Sequence, residues 1–164
     1  MWLIGMMGSG KSTVGAAVAR RLGLEFFDTD EMVVARAGLS IPKIFETMGE
    51  KEFRELEREA LSMVPVAGCV AATGGGAILD EENRKVIVAS PPVVWLRAKP
   101  ETLALRVGGG VDRPLLIGAG GEERLADILD RRSQIYREVA THVIDTDDRA
   151  SDAVVEEVVS LWQR

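Results

Sequence analysis

The chain has 164 residues, 46% of them hydrophobic, which is enough for one well-filled core and too little for two ordinary domains. A formal net charge of -6 argues against a nucleic-acid partner, because binding phosphate backbones takes a basic face and counterion release. A single cysteine, Cys69, excludes an internal disulfide and a cysteine-based metal site, and no apolar run reaches the length of a bilayer span. With no secretory leader before the first strand, the expectation is one cytoplasmic domain over residues 1–164, monomeric and not bound to a membrane.

Met1 to Ile4 reads as an apolar strand, the entire first strand, and it runs directly into Gly5-Met6-Met7-Gly8-Ser9-Gly10-Lys11-Ser12. That stretch fits the phosphate-binding pattern G-x-x-x-x-G-K-[ST]. Its glycines let consecutive backbone N–H groups converge without side-chain obstruction, and a helix opening at Lys11 adds its positive dipole end. A triphosphate is the natural guest. Lys11 would reach the β- and γ-phosphates as a point charge, and the Ser12 hydroxyl is placed to ligate the accompanying magnesium ion. A chance glycine-rich turn is the competing reading, but the strand before it and the helix after it are also right.

Thr13 to Leu22 has apolar residues at helical spacing, Arg20 and Arg21 in its last turn, and Gly23 as a stop. Leu24 to Phe27 is a short strand that delivers Asp28, Thr29 and Asp30 at its carboxyl end, where open parallel sheets present ligand-binding groups. The plainer alternative is that Asp30 or Thr29 merely caps the helix Glu31 to Ala37, which stops at Gly38. Ser40 suits the N-cap of a further helix through Met48, with Pro42 in its first turn and Gly49 breaking it. Glu50 to Met63 then places Phe53, Leu56, Ala60 and Met63 on one face. Arg54 lies beside that face, and its simplest alternative role is an exposed arginine pairing with Glu50 or Glu57.

Ala67 to Ala72 reads as a buried strand that empties into Thr73-Gly74-Gly75-Gly76. Three consecutive glycines are costly in chain entropy, which favours a tight approach of backbone to something over a simple flexible turn. Asp80 to Ala89 is a helix, closed by Ser90-Pro91-Pro92 before the strand Val93 to Leu96, and Pro100 begins a helix ending near Val107. Gly108 to Gly121 is glycine-rich, lacks sustained periodicity and carries Arg113, as expected of a functional lid. Glu122 to Ala140 is a long amphipathic helix in which Arg131, Arg132 and Arg137 interrupt the apolar pattern. His142 to Ile144 is a last short strand, and Ser151 to Trp162 closes the chain as a helix. His142 is expected to be structural, since nothing of metal-ligand type sits at a matching spacing, and Cys69 to be a small core residue. Strands and helices alternate five times, the signature of an α/β fold with a parallel sheet wrapped by helices on both faces. Ligands should gather at the strands' carboxyl ends, which are the phosphate loop, Asp28 with Asp30, the triple glycine, and the segment leading to the lid.

GMMGSGKST, DTD, GEKEFRELE, ATGGGAI, RPLL and RRSQIY with DTDDR follow in that order over nearly the whole chain, and in this the sequence resembles the shikimate kinase family. The phosphate loop alone would say only nucleotide-binding, whereas F-R-x-x-E, the triple glycine and R-P-L-L together are far more specific. The resemblance implies the three-layer P-loop kinase fold of the nucleoside monophosphate kinase group. That fold has a five-stranded parallel sheet flanked by helices, a substrate-binding helical segment near residues 29–63 and a lid near 108–121. It also implies Mg2+-dependent transfer of the ATP γ-phosphoryl group to the 3-hydroxyl of shikimate, in chorismate and aromatic amino acid biosynthesis.

Carried over by position, Lys11 and the amides of Gly8, Ser9, Gly10, Ser12 and Thr13 hold phosphates, Ser12 ligates magnesium, and Asp28 supports the ion's water shell. Asp30 matches the aspartate on the attacking hydroxyl. Arg54 and Arg132 match the pair that grips the shikimate carboxylate, Gly75 and Gly76 offer backbone amides, and Glu57 matches the acid that orients that arginine. Arg113 matches the lid arginine over the phosphates, and Arg106 and Arg149 match residues flanking adenine. The residue chemistry points the same way: a carboxylate substrate favours arginine's two-pronged donor, and phosphoryl transfer chiefly requires positioning and charge neutralisation. A related kinase of the same fold, such as one acting on gluconate, would keep the loop but lack the F-R-x-x-E and R-P-L-L pairing. A nucleotide-dependent switch would ordinarily carry an N-K-x-D segment, which this chain lacks.

Overall fold

Trp2, Leu3 and Ile4 are almost wholly excluded from solvent, and the strand they form, β1 (Trp2–Ile4), is the middle strand of the sheet rather than an edge. The computed structural model that shows this describes residues 1–107 and 121–162. The expected lid, apart from Gly121, and Arg113 lie outside the described residues. β2 (Glu25–Asp28), β3 (Cys69–Ala72), β4 (Val93–Arg97) and β5 (His142–Asp145) complete a five-stranded sheet in the order β2-β3-β1-β4-β5. Every neighbouring pair is parallel, with Leu3 opposite Ala72 on one side and Val94 on the other. Central strands of such sheets are covered on both faces and therefore read as unbroken apolar runs. Apart from Arg97 at the end of β4, the polar strand residues lie on the edge strands, among them Glu25 on β2 and His142 on β5, both exposed.

Alternate side chains of each strand feed two different cores. Leu3, Val70, Val94, Leu96 and Ile144 pack with Val14 and Val18 of α1 (Lys11–Leu22) and with Val154, Val155 and Val158 of α8 (Ser151–Trp162). On the other face, Trp2, Ile4, Ala71 and Trp95 pack with Ile87 of α5 (Glu81–Val88), Leu103 of α6 (Pro100–Val107), and Leu125 and Tyr136 of α7 (Gly121–Val139). Each fully buried aliphatic side chain contributes about 1.5–3 kcal/mol of transfer free energy. A third, smaller cluster of Val33, Ile44, Phe53 and Ala60 joins α2 (Thr29–Ala37), α3 (Ile41–Thr47) and α4 (Gly49–Met63). These three helices thus own a core separate from the two that clamp the sheet.

Several boundaries differ from the sequence reading for identifiable reasons. Gly23 ends α1 in a left-handed conformation, and the Leu24 N–H is spent on the Ala19 carbonyl at 2.9 Å. β2 therefore starts one residue late and includes Asp28. Gly68 has φ of 77°, which no strand residue adopts, so β3 begins at Cys69 rather than Ala67. Ser40 occupies the N-cap of α3 but makes no side-chain cap hydrogen bond; Pro42, in the first turn, has no N–H to offer it. Among the described residues no helix is long and apolar enough to cross a membrane.

Candidate active site

The loop between β1 and α1 folds back on itself, with the Ser9 N–H on the Met6 carbonyl at 3.2 Å. Gly8 has φ of 79°, and a Cβ there would lie 2.6 Å from Cγ2 of Val107, so this position needs glycine twice over. Lys11 opens α1, is nearly buried, and its Nζ donates to the Met6 carbonyl at 2.9 Å across the loop. Over the loop opens a crevice of about 370 Å³, lined by Met7, Gly8, Gly10, Lys11, Ser12, Thr13, Asp28, Asp30, Thr73, Gly75 and Arg106. The hydroxyls of Ser9 and Thr73 are buried with no hydrogen-bond partner among the described residues.

Asp28 ends β2 and does two jobs. Its Oδ1 accepts from the N–H groups of Asp30 at 3.0 Å and Glu31 at 3.4 Å, which makes it the N-cap of α2. Its Oδ2 accepts from Ser12 Oγ at 2.5 Å. The capping role expected of Asp30 or Thr29 therefore belongs to Asp28, because β2 runs one residue further than its apolar stretch. Thr29 is fully buried and its Oγ1 accepts the Gly74 N–H at 3.1 Å, while Asp30 is left facing the crevice.

The triple glycine after β3 is the meeting point of the remaining candidates. A Cβ on Gly74 would lie 2.6 Å from Asp30 Oδ1 and 3.0 Å from Glu57 Oε1; on Gly75, 3.2 Å from the Met7 nitrogen; on Gly76, 3.0 Å from Arg54 Nη1. A flexible turn would leave room at these places. The glycines instead let two carboxylates and a guanidinium approach the main chain closely.

Arg54 and Glu57, one helical turn apart on α4, form an ion pair at 2.9 Å in which Glu57 is 2% exposed and Arg54 24%. Glu50, on the exposed side, also accepts from Arg54, at 3.2 Å. The surface pairing anticipated for Arg54 thus exists, but it coexists with a buried partner and with contact to Gly76. Burial pushes the Glu57 carboxyl above its ordinary value, Arg54 opposes this, and the nearby Asp30 charge adds to it. Burial works against the Arg54 charge, yet Glu57 and Glu50 together more than offset it and keep the guanidinium protonated.

From α7, Arg132 Nη1 donates to the Gly75 carbonyl at 3.0 Å, so Arg54 and Arg132 reach the same three residues from different helices. Tyr136 also donates to that carbonyl, at 2.6 Å, and burial raises its phenol pKa. Arg106 lines the crevice and is anchored on Thr146, to Oγ1 at 3.0 Å and to the carbonyl at 2.6 Å. Arg149, in the turn between β5 and α8, lies instead along the start of α8, donating to the carbonyls of Asp145 and Ala153 and pairing with Glu157 at 2.7 Å, and it does not line the crevice. His142 is exposed on the edge strand beside Thr141, and no group of three potential metal ligands of His, Cys, Asp or Glu type exists among the described residues.

The contact of Thr29 with Gly74 and the role of Tyr136 escaped the sequence reading. Tyr136 lies four residues after Arg132 and so on the same helical face, a spacing that could have drawn attention to it. Thr29 sits between two acids, and nothing local marks its hydroxyl as an acceptor for the main chain of the glycine run 45 residues away.

A shikimate kinase family model matches residues 7–163. The shikimate kinase of Moorella thermoacetica is 47% identical over 157 residues, covering 95% of this chain and 90% of that protein. The solved structure of shikimate kinase from Acinetobacter baumannii in complex with shikimate superposes with a TM-score of 0.93 at 37% identity, covering 99% of this chain and 91% of that one. Deoxyadenosine kinase from M. mycoides with bound dATP, at 15% identity, covers 99% of this chain and 98% of that one with a TM-score of 0.61, a likeness of fold alone. With its P-loop fold, its phosphate crevice and these relatives, the chain belongs to the shikimate kinase family of ATP-dependent kinases.

Proposed function

We propose that the chain uses this site to transfer the γ-phosphoryl group of ATP to the 3-hydroxyl of shikimate, and that the residues named above divide the work. The phosphates lie on the loop amides from Gly8 to Thr13, and Lys11 Nζ exchanges the Met6 carbonyl for phosphate oxygens. Arg106 sits beside the adenine, joined by Arg149 when that side chain leaves Glu157 and Ala153. The donor set suits a magnesium ion that arrives with ATP: one hydroxyl and one carboxylate side by side, both oxygen ligands, since Mg2+ keeps most of its shell as water and phosphate oxygen. Ser12 would hold the ion directly and Asp28 through its waters, and the ion would neutralise charge on the phosphates.

Asp30 accepts the proton of the attacking hydroxyl as that oxygen bonds to the γ-phosphorus and the bond to the ADP oxygen breaks. Arg54 and Arg132 grip the shikimate carboxylate with help from the Gly75 and Gly76 amides, and Glu57 holds the Arg54 fork in position. Arg113 supplies further positive charge to the transferring group, by its match to the family's R-P-L-L segment. The observation that carries the reading is the position of Asp30: it lines the phosphate crevice and also lies against Gly74 beside Glu57 and the Arg54 pair. An acceptor held by the arginines would present its hydroxyl between Asp30 and the γ-phosphate. The test is ADP release measured with shikimate, with gluconate and with no acceptor, at saturating ATP and magnesium. Turnover confined to shikimate is expected; equal rates in all three would sink the assignment.

A further inference from the structure

We propose that Tyr136 is a positioning residue whose hydroxyl keeps the Gly75 carbonyl satisfied when Arg132 turns from that carbonyl to the carboxylate of the acceptor substrate. The inference rests on the functional reading above, in which Arg132 grips that carboxylate.

One backbone oxygen here receives two side-chain donors from the same helix face, Tyr136 O–H at 2.6 Å and Arg132 Nη1 at 3.0 Å. The donors are not equivalent. The Tyr136 ring is fully buried and stacked on Trp95, with centroids 5.3 Å apart and planes 17° from parallel, which holds its hydroxyl at this carbonyl. Arg132 is only half-buried, and a guanidinium that is to hold a carboxylate through both prongs must re-aim its fork. If Arg132 were the sole donor, each binding event would strip a hydrogen bond from Gly75. With Tyr136 present the carbonyl keeps its shorter bond, and Arg132 is free to move.

The fixed carbonyl also has a directional consequence. In a trans peptide the C=O and the following N–H point opposite ways, so holding the Gly75 carbonyl toward α7 aims the Gly76 N–H away from α7. Gly76 is the residue that Arg54 approaches. Neither the Gly75 nor the Gly76 N–H has an acceptor among the described residues, whereas the Gly74 N–H is taken by Thr29. Tyr136 thus fixes the orientation of the peptide that joins Gly75 to Gly76, the residue Arg54 approaches, both before and after Arg132 moves.

Tyr136→Phe keeps the stacked ring and removes only the O–H, and Arg132 still serves Gly75 in the unliganded protein. The variant should unfold at the wild-type temperature and bind ATP as the wild type does, yet bind shikimate roughly 3- to 10-fold more weakly by calorimetry, the scale of one net hydrogen bond. Unchanged shikimate affinity, or equal weakening toward both ligands together with a lowered melting temperature, would overturn the proposal in favour of a purely structural hydroxyl. Amide exchange at the hydrogen-bonded N–H groups of Gly74, Ala77 and Leu79, without any ligand, gives a readout independent of the acceptor's identity. It should stay slow in Tyr136→Phe and in Arg132→Ala and become fast only when both changes are combined. Exchange as fast in Tyr136→Phe alone as in the double variant would show that the two donors do not substitute for one another, and the proposal would fall. A wild-type protein that does not bind shikimate would instead sink the functional reading, and the exchange comparison would still decide whether Tyr136 and Arg132 share the carbonyl.

Discussion

Ser12 Oγ and Asp28 Oδ2 stand 2.5 Å apart in a hydrogen bond, while the second oxygen of the same carboxylate caps α2 through the Asp30 N–H at 3.0 Å. One side chain therefore joins the phosphate loop to the first turn of the helix that carries Asp30. Anything that draws on Asp28 from the phosphate side is felt where the proposed base is held.

That dual role separates two substitutions at Asp28. Asn caps a helix as well as Asp does, so Asp28→Asn should leave stability nearly unchanged while raising the magnesium concentration needed for half-maximal turnover. Asp28→Ala removes the cap too and should cost about 1 kcal/mol more. Magnesium titrations of turnover, paired with denaturant unfolding, resolve the two effects. A magnesium dependence in Asp28→Asn identical to wild type would remove Asp28 from the ion's shell.

Asp30→Asn keeps the shape and removes the proton acceptor. The chemical step should fall by roughly 10²-fold or more, the scale of general acid–base groups, and excess magnesium should not restore it. Rescue of Asp30→Asn by magnesium, with none for Asp28→Asn, would reverse the roles of the two acids.

The sheet was legible because each strand announces itself twice, by a short apolar run and by the turn or helix signal that follows. The phosphate loop was legible because its function needs glycines at fixed spacing. The assignment of the α2 cap was not, because Asp28, Thr29 and Asp30 are all good capping residues and only the strand register decides which one turns inward. That register depends on Leu24 being spent on the end of α1, a matter of three-dimensional closure. The convergence on Gly75 was equally hidden. Its donors come from residues 57 and 61 positions later in the chain, and nothing local in the glycine run names them. The surface pair read for Arg54 does not preclude the proposed site role, because Arg54 pairs with exposed Glu50 and with buried Glu57 through different nitrogens.

Glu57 should leave a mark on the pH dependence of stability. Its native pKa is raised above the ordinary value of 4.5, chiefly by burial, so the native state holds this proton more tightly than the unfolded chain does. The associated stability is fully present below the ordinary glutamate range and is lost as pH rises through the raised native value. Glu57→Gln should flatten that decline in the window just above 4.5, and it should weaken shikimate binding by loosening Arg54. Parallel stability–pH curves for the two proteins would mean that Glu57 is charged equally easily in both states.

Arg54→Ala removes the other half of the pair. Shikimate turnover should collapse while nucleotide binding survives, because the phosphate crevice does not include Arg54. Leaving Glu57 without its partner should also cost about 1–3 kcal/mol of stability, between the values typical of exposed and of fully buried pairs, since Arg54 is itself 24% exposed. Near-normal turnover would reduce Arg54 to a helix-surface arginine.

Gly74→Ala tests whether the triple glycine exists for close approach. The added methyl would start 2.6 Å from Asp30 Oδ1 and 3.0 Å from Glu57 Oε1, distances that only movement of the acids can relieve. Gly74 does not have a positive φ, so the backbone itself tolerates alanine and the conflict lies with the two carboxylates. Overpacking at such a site costs about 1–3 kcal/mol, and here the carboxylate with open space beside it is that of Asp30, which borders the crevice. Displacing a proposed base by even 1 Å can cost on the order of 10²-fold in rate. Turnover should therefore fall far more than thermal stability, and ATP binding should be retained, as read by calorimetry beside a steady-state assay. Wild-type turnover in Gly74→Ala would show that Asp30 can be moved without penalty, and its role at the attacking hydroxyl would have to be given up.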